Sequence, residues 1–266
     1  MCPVWETHGY CPKGLNCRWV GSHVTADLKL ISKPPEEQIP IVEYNEIGPF
    51  LHSIRKKTYI YHCTSQSETP VGALGEGEFT PIDFSHKLYI APLTTVGNLP
   101  FRRICLEFGA DITCSEMALT GNLLRGQVSE WALLRRHPSE KCFGIQLASG
   151  RCEEVEKVTE FLRREFRCDF IDLNCGCPID ILDKMGAGGA LMGHPNKLRR
   201  LVGSVLNAAE TLPVVCKMRT GDKENTLDRF IKSIAEVEGK RGNRLNAMVI
   251  HGRTKIGRYT KVADWE

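Results

Sequence analysis

"FIDLNCGCP", residues 170–178, sets the architecture of this chain. Six residues form an apolar run with two polar members, and a glycine and a proline then stop it. Continuous rather than alternating hydrophobicity marks a strand covered on both faces, as in a parallel sheet. The same pattern recurs on either side, in "KLYIAPL" (87–93), "DITCSEM" (111–117), "CFGIQLA" (142–148), "PVVCKMR" (213–219) and "AMVIHGR" (247–253). Helical patterns separate these runs: "LPFRRICLEFGA" (99–110), "CEEVEKVTEFLRREF" (152–166), "PNKLRRLVGSVLNAAE" (195–210) and "TLDRFIKSIAEVEG" (226–239). Strand followed by helix, repeated, implies βαβ units and a parallel sheet.

The polar residues at the run ends discriminate further. Thr94, Glu116, Gln146, Asn174 with Cys177, Lys217 with Arg219, and His251 with Arg253 each close a run. In a (β/α)8 barrel the strand C-termini converge on one face, where a site is assembled from several strands. A doubly wound sheet would instead concentrate such residues at its switch point. The expected fold class is therefore α/β, a TIM-type barrel over residues 87–266. Closure needs eight units and about 250 residues; about six fit here, so an incomplete barrel is expected, the chain being a fragment or shortened isoform.

Residues 1–33 hold a tight cysteine cluster. Cys2, Cys11, Cys17 and His23 supply three thiolates and one imidazole, enough to close a tetrahedral zinc site. Gly9, Pro12 and Gly14 permit the necessary turns, and His8 competes as fourth ligand. The segment has almost no core of its own, which favours metal binding over a disordered tail. Residues 34–86, with "PPEEQIPIVEYNE" and "GALGEGEFTP", read as a linker, interrupted by a modest helix around "IGPFLHSIRKKTY" (47–59).

Bulk properties bound the function classes. No apolar run of about 18 residues exists, so no membrane partner is expected. The N-terminus lacks an apolar core behind positive charge, so no secretory signal is expected. Twelve cysteines without an export signal read as reduced thiols and metal ligands, placing the chain in the cytosol and/or nucleus. A net charge of +3 neither demands nor forbids a nucleic-acid partner.

The paired thiols admit several chemistries: metal ligation, a redox pair, one catalytic residue, or inert packing. Pro178 biases Cys177 toward an extended backbone, and Gly176 permits a turn or close approach to a flat ligand. Were the strand straight, Cys175 and Cys177 would share a face, so periodicity does not choose between them. "MGAGGALMG" (185–193) lacks the setting of a dinucleotide fingerprint and reads as a mobile loop beside Cys177, closing over substrate. The basic clusters "LLRRHPSEK" (133–141), "FLRREFR" (161–167) and "NKLRR" (196–200) read as solvated helix faces with a secondary possibility of tracking RNA.

Two resemblances add to this reading. The Cys-x8-Cys-x5-Cys spacing resembles a CCCH zinc finger, departing where His23 follows Cys17 by five intervening residues instead of the usual three. Fingers of that family usually bind RNA, and Tyr10, Lys13, Arg18 and Trp19 would stack and contact phosphate. "DLNCGCP" resembles the Asn-x-Gly-Cys-Pro motif of the tRNA-dihydrouridine synthases. "IAPLTTVGNLPFR" (90–102), "CFGIQLASG" (142–150), "CKMRTG" (216–221) and "VIHGRT" (249–254) match that family's other strand ends in order. Finger plus barrel is similar to the eukaryotic zinc-finger branch, which modifies a variable-loop uridine. That branch is expected to carry two fingers, and one is present here, so both ends are expected to be shortened.

The resemblance implies a tRNA substrate, flavin mononucleotide (FMN) as hydride source and NADPH as reductant; no DNA partner is expected. It assigns the proton donor to Cys177. A thiol of ordinary pKa, about 8.5, is protonated at neutral pH and fills such a role untuned. It assigns Lys217 to the flavin ring, Gln146 and His251 to flavin hydrogen bonds, and Pro92, Leu93 and Thr94 to backbone contacts. Asn174 would orient the uracil edge, and Arg219 and Arg253 would meet ring or RNA phosphates. Barrels of this type hold cofactor phosphate through the loops after strands seven and eight. The 266 residues are accordingly expected to retain flavin poorly and show little activity. The rival readings are a non-catalytic RNA-binding protein and a flavin barrel of the dihydroorotate dehydrogenase type acting on a free pyrimidine.

Overall fold

Five of the six expected strands form in a computed structural model that describes residues 1–63, 80–257, 260, 262 and 263. They are β1 (Ile112–Cys114), β3 (Cys142–Ala148), β4 (Phe170–Cys175), β5 (Val214–Arg219) and β6 (Ala247–His251); a two-residue β2 (Ala118–Leu119) pairs with β3. All pairings are parallel, in the order β1-β3-β4-β5-β6, and the sheet curls as a half-barrel of the TIM type.

The run 87–93 is the exception. Tyr89 makes a single parallel bridge to Ile112, and Ile90 N–H donates to the Ile112 carbonyl at 2.9 Å. Pro92 has no N–H to continue the ladder. The chain then folds back, Gly97 N–H donating to the Leu93 carbonyl at 2.8 Å, with Thr95 at φ 67°. Between β1 and β2 the register gains one residue on β3, since Cys114 pairs with Gly144 and Ala118 with Leu147. This bulge is stitched by Ser115: its N–H donates to the Gly144 carbonyl, and its hydroxyl accepts from Gln146 N–H at 3.0 Å.

Alternation along the strands sorts side chains into two layers. Ile145, Leu147, Ile171, Leu173, Cys175, Cys216 and Met218 face the helices and share their core. The alternate residues of β1, β4, β5 and β6, among them Ile112, Cys114, Phe170, Val215 and Val249, pack inside the curl. The outer core is completed by α6 (Cys152–Glu165), α8 (Pro195–Ala209) and α9 (Leu227–Ala235). In α8, Leu198, Leu201, Val202, Val205, Leu206 and Ala209 recur at three- and four-residue steps, presenting one continuous apolar stripe. The sequence also shows α3 (Leu99–Glu107), capped by the Asn98 side chain accepting from Phe101 N–H at 3.1 Å. It does not show the one-turn helices α4 (Thr120–Leu124), α5 (Val128–Ala132) and α7 (Asp180–Met185), which are too short to carry a period.

Gly144 on β3 lies beneath the Phe170 ring; a Cβ there would sit 2.2 Å from ring carbons. Gly144→Ala is expected to destabilise the fold by about 1–3 kcal/mol, read as a lowered Tm, because both flanking strands are fully packed.

The described chain divides into two compact units, Met1–Glu43 and Tyr44–Glu266. The stretch read as a linker is thus shared between them. In the first unit, which contains α1 (Pro3–His8), Lys33 N–H bonds the Gly9 carbonyl and Ile39 N–H the His8 carbonyl. In the second, α2 (Gly48–Arg55) buries Ile54, and Tyr59 packs edge-on against Phe161. Glu160, itself buried, accepts the N–H groups of His62 and Cys63. Apolar residues interspersed among the prolines and glutamates give these segments something to bury, which overrides composition. The "GALGEGEFTP" half of the linker lies almost entirely outside the described residues. No helix among the described residues is long and apolar enough to cross a membrane.

Candidate functional site

At the C-terminal end of β3–β6 lies a cavity of about 600 Å³, lined by Pro92, Leu93, Thr94, Gln146, Cys177, Lys217 and His251 together with Asn174 and Arg219. All seven residues expected at a flavin and proton-donor site therefore meet in one place. Its walls are half apolar, and its volume is in the range that encloses a cofactor ring.

Strand geometry separates the two thiols. Cys175, still on β4, is fully buried toward the helices with its Sγ 3.3 Å from that of Cys216. β4 ends there, Gly176 turns the chain, and Cys177 lines the cavity. Gly176 is needed for closeness: a Cβ would lie 3.0–3.1 Å from the backbone of Met218 and Arg219. The glycine-rich segment then clamps Cys177 from behind. Gly189 N–H donates to the Cys177 carbonyl at 2.8 Å, and a Cβ on Gly188 (φ 55°) would lie 2.9 Å from that oxygen. Within 185–193, Met185 ends α7 and Gly188–Gly193 forms a packed 3-10 turn with Leu191 and Met192 buried, where a loop was expected from the glycines.

The floor is polar and internally bonded. Gln146 and Asp172 are direct neighbours across β3 and β4, and Gln146 Nε2 donates to Asp172 Oδ2 at 2.7 Å. Asn174 Nδ2 donates to Gln146 Oε1 at 2.9 Å, while Asn174 Oδ1 accepts the N–H groups of Gly176 (3.2 Å) and Cys177 (3.0 Å). Asn174 is thus a brace for the Cys177 loop. Arg219, expected to meet phosphate, is buried and donates to the carbonyls of Gly176 (2.9 Å) and Thr254 (3.0 Å). Arg253 lies 3.0 Å from His251 Nε2. A guanidinium only donates, so Nε2 accepts and the His251 proton resides on Nδ1. The roof residue Thr95 donates its N–H to Glu116 Oε1 at 2.6 Å, fixing the loop that carries Leu93 and Thr94.

Burial and neighbouring charges shape the titrations. Burial lowers Lys217, and Arg219 adds to this, while Asp172 opposes it. Burial, reinforced by Arg219, Lys217 and Arg253, pushes His251 down to about 4, so the ring is neutral at physiological pH. Burial pushes Asp172 up to about 6 against the pull of Gln146 and Lys217. The two effects on stability have opposite signs. A raised carboxyl binds more protons folded than unfolded between about 3.8 and 6, so its contribution falls as pH rises through that window. A depressed histidine binds more protons unfolded between about 4 and 6.5, so its contribution rises. Asp172→Asn removes only the first. The stability of the variant relative to wild type is expected to grow by on the order of 3 kcal/mol between pH 4 and 7. Parallel profiles of Tm against pH would show that Asp172 does not titrate in this range.

The first unit gathers a second constellation. One ligand atom each from Cys2, Cys11, Cys17 and His23 lie within 4.8 Å of one another. His23 Nε2 is buried without a hydrogen-bond partner, and the Cys2 and Cys17 sulfurs accept N–H bonds from Trp5 (3.5 Å) and Trp19 (3.4 Å). Three soft sulfurs and a partnerless imidazole nitrogen fit a tetrahedral zinc ion. His8 is directed elsewhere, its Nδ1 lying 3.0 Å from the Ile39 carbonyl. The longer Cys17–His23 spacing is taken up by a 3-10 turn, Val20–Ser22.

Several residues of the first two basic clusters on the second unit are committed to ion pairs. Arg136 pairs with Asp169 at 2.8 Å, Arg163 with Glu210 at 2.8 Å and Arg164 with Glu160 at 3.1 Å. The role of Asp172 was the least visible from sequence, although a carboxylate within a fully buried strand was a signal for it.

Known proteins share both parts of this arrangement. The family described as Dihydrouridine synthase (Dus) matches residues 89–266, and the DUS3L CCCH zinc finger domain matches residues 1–26. The chain is 37% identical over 311 aligned positions to a Xenopus tropicalis protein named tRNA-dihydrouridine(47) synthase [NAD(P)(+)]-like, covering 100% of this chain and 48% of that protein. It is 34% identical to the Homo sapiens protein of that name, covering 100% of this chain and 49% of the other. Identity to the Arabidopsis thaliana protein of that name is 49% over 187 positions, 70% of this chain and 26% of that one. The chain spans about half the length of the full-coverage relatives.

Proposed function

The chain belongs to the dihydrouridine synthase family, and on that premise we propose that it acts in the flavin-dependent reduction of uridine to 5,6-dihydrouridine in tRNA, at the position 47 named in its relatives. The observation that carries this is the convergence of Gln146, Lys217, His251 and Cys177 on one cavity. The residues present fit an FMN ring: an apolar wall at Pro92 and Leu93, an amide, a neutral imidazole and a lysine cation beneath the opening. When bound, FMN supplies the hydride for the uracil C5–C6 bond, with NADPH as the proposed reductant.

The chain's own residues do the rest. Lys217 places positive charge where negative charge accumulates. His251, locked as the Nδ1–H tautomer by Arg253, offers a donor of fixed direction. Cys177 holds the proton for the second uracil carbon. Asn174 and Gly189 grip its backbone from opposite sides, so the thiol is presented from a rigid turn. The zinc finger, with Trp19 half exposed beside Arg18, would hold the RNA by stacking and phosphate contact.

The test is direct. Protein supplemented with FMN and NADPH is incubated with unmodified tRNA, and the product is digested and weighed. A gain of two hydrogens on one uridine supports the proposal. RNA binding without reduction favours a non-catalytic role, and turnover of a free pyrimidine without tRNA favours the dihydroorotate-type reading.

A further inference from the structure

We propose that Asp172 is a positioning residue, whose buried carboxylate holds Gln146 and, through Asn174, the backbone turn that presents Cys177. The inference rests on the cavity being the flavin and uracil site, and it adds the residue that orders that site from below.

The donor or acceptor character of each group fixes the relay. A carboxylate accepts and never donates, so the Gln146 amide must turn its nitrogen toward Asp172, at 2.7 Å. Its oxygen is then left for Asn174, which donates at 2.9 Å. The Asn174 oxygen is left in turn for the N–H groups of Gly176 and Cys177. At one end of this relay stands an obligate acceptor, at the other two obligate donors, and the two amides between them have one orientation that satisfies both. Gln146, Asp172 and Asn174 are 2%, 0% and 7% exposed, so water does not substitute for a missing link. Tyr89 Oη and Cys114 Sγ approach the same Asp172 oxygen only at 3.5 and 3.9 Å, so among side chains Gln146 is its close partner, beside the Lys217 backbone N–H. An unanchored Gln146 would be free to turn into the cavity, and Asn174 would lose the acceptor that fixes it beneath Cys177. Asp172 is absent from the cavity lining and makes no hydrogen bond to the Cys177 thiol, acting on it only through Gln146 and Asn174.

Two substitutions separate the hydrogen-bond role from charge and from bulk packing. Asp172→Leu keeps the branched four-atom shape, with larger methyl groups, and removes the acceptor, whereas Asp172→Asn keeps an acceptor oxygen and removes the charge. On the ligand-free chain, amide hydrogen exchange at Gly176 and Cys177 is expected to accelerate about tenfold or more in the Leu variant and to return to the wild-type rate in the Asn variant. In tRNA reduction, kcat is expected to fall about ten- to hundred-fold in the Leu variant with KM for tRNA unchanged, and to recover with Asn. Unchanged exchange at Cys177 in the Leu variant, or an Asn variant as impaired as Leu, overturns the proposal. If Asp172→Leu does not fold, Gln146→Met cuts the same relay one link later, and wild-type protection at Cys177 in that variant is equally decisive. Should wild type reduce no tRNA, the functional reading fails, yet the exchange measurements still decide the relay.

Discussion

Removing zinc from the first unit is expected to unfold it. The unit's regular structure consists of one six-residue helix and short 3-10 turns, with few buried side chains, of which Cys2, Cys17 and His23 are themselves candidate ligands. With so little apolar area buried, the fold depends on the ion, whose binding in such small domains contributes about 10–16 kcal/mol. Chelation, or Cys17→Ser, is therefore expected to abolish the slow-exchanging amides of Met1–Glu43, with one equivalent of zinc released per chain. Tyr44–Glu266 has its own core and is expected to keep its strands. A first unit that retains protected amides in metal-free buffer would show that the four ligand atoms converge for packing alone.

The second large effect is at Cys177. In a form spanning the full length of its relatives, replacing it by Ala is expected to leave FMN binding unchanged and to slow uridine reduction by about 10²–10⁴-fold, the usual worth of a positioned general acid. Binding is spared because the turn is held by backbone contacts: the Cys177 N–H to Asn174 and its carbonyl to Gly189. Cys175→Ala provides the contrast. Its sulfur packs against Cys216 on the helix side of the sheet, so the variant is expected to lose stability and keep its rate.

Much of this site was legible because barrel strands repeat one pattern. Gln146, Lys217 and His251 fall at the ends of apolar runs, and parallel strands in register bring those ends together, with Asn174 opposite Lys217 and Arg219 opposite His251. The resemblance in "DLNCGCP" singled out Cys177 where periodicity did not, and the turn at Gly176 is the physical reason that periodicity was silent. The candidate zinc ligands were legible from residue type alone, since few other arrangements use three thiols and an imidazole in so short a span, and their ligand atoms converge.

Other features depend on contacts that no local pattern encodes. Arg219 looks like a phosphate ligand at a strand end, yet the carbonyls of Gly176 and Thr254 claim it. The glycines of 185–193 suggest mobility, but small residues are there to let the segment approach the Cys177 carbonyl. The expected first strand fails beyond Ile90 because Pro92 ends its ladder and the chain turns back at Leu93. Residues 44–63 look like linker by composition and pack nonetheless, through Ile47, Ile54 and Tyr59.

The central claim is that this cavity reduces uridine with Cys177 giving the proton. An anaerobic single turnover tests it most directly: a form spanning the full length of its relatives and carrying reduced FMN is mixed with unmodified tRNA, and reoxidation is followed in the flavin's visible absorption. Wild type is expected to reoxidise as dihydrouridine forms, and Cys177→Ala to stay reduced with tRNA bound. Equal reoxidation and equal dihydrouridine from both proteins would contradict the claim.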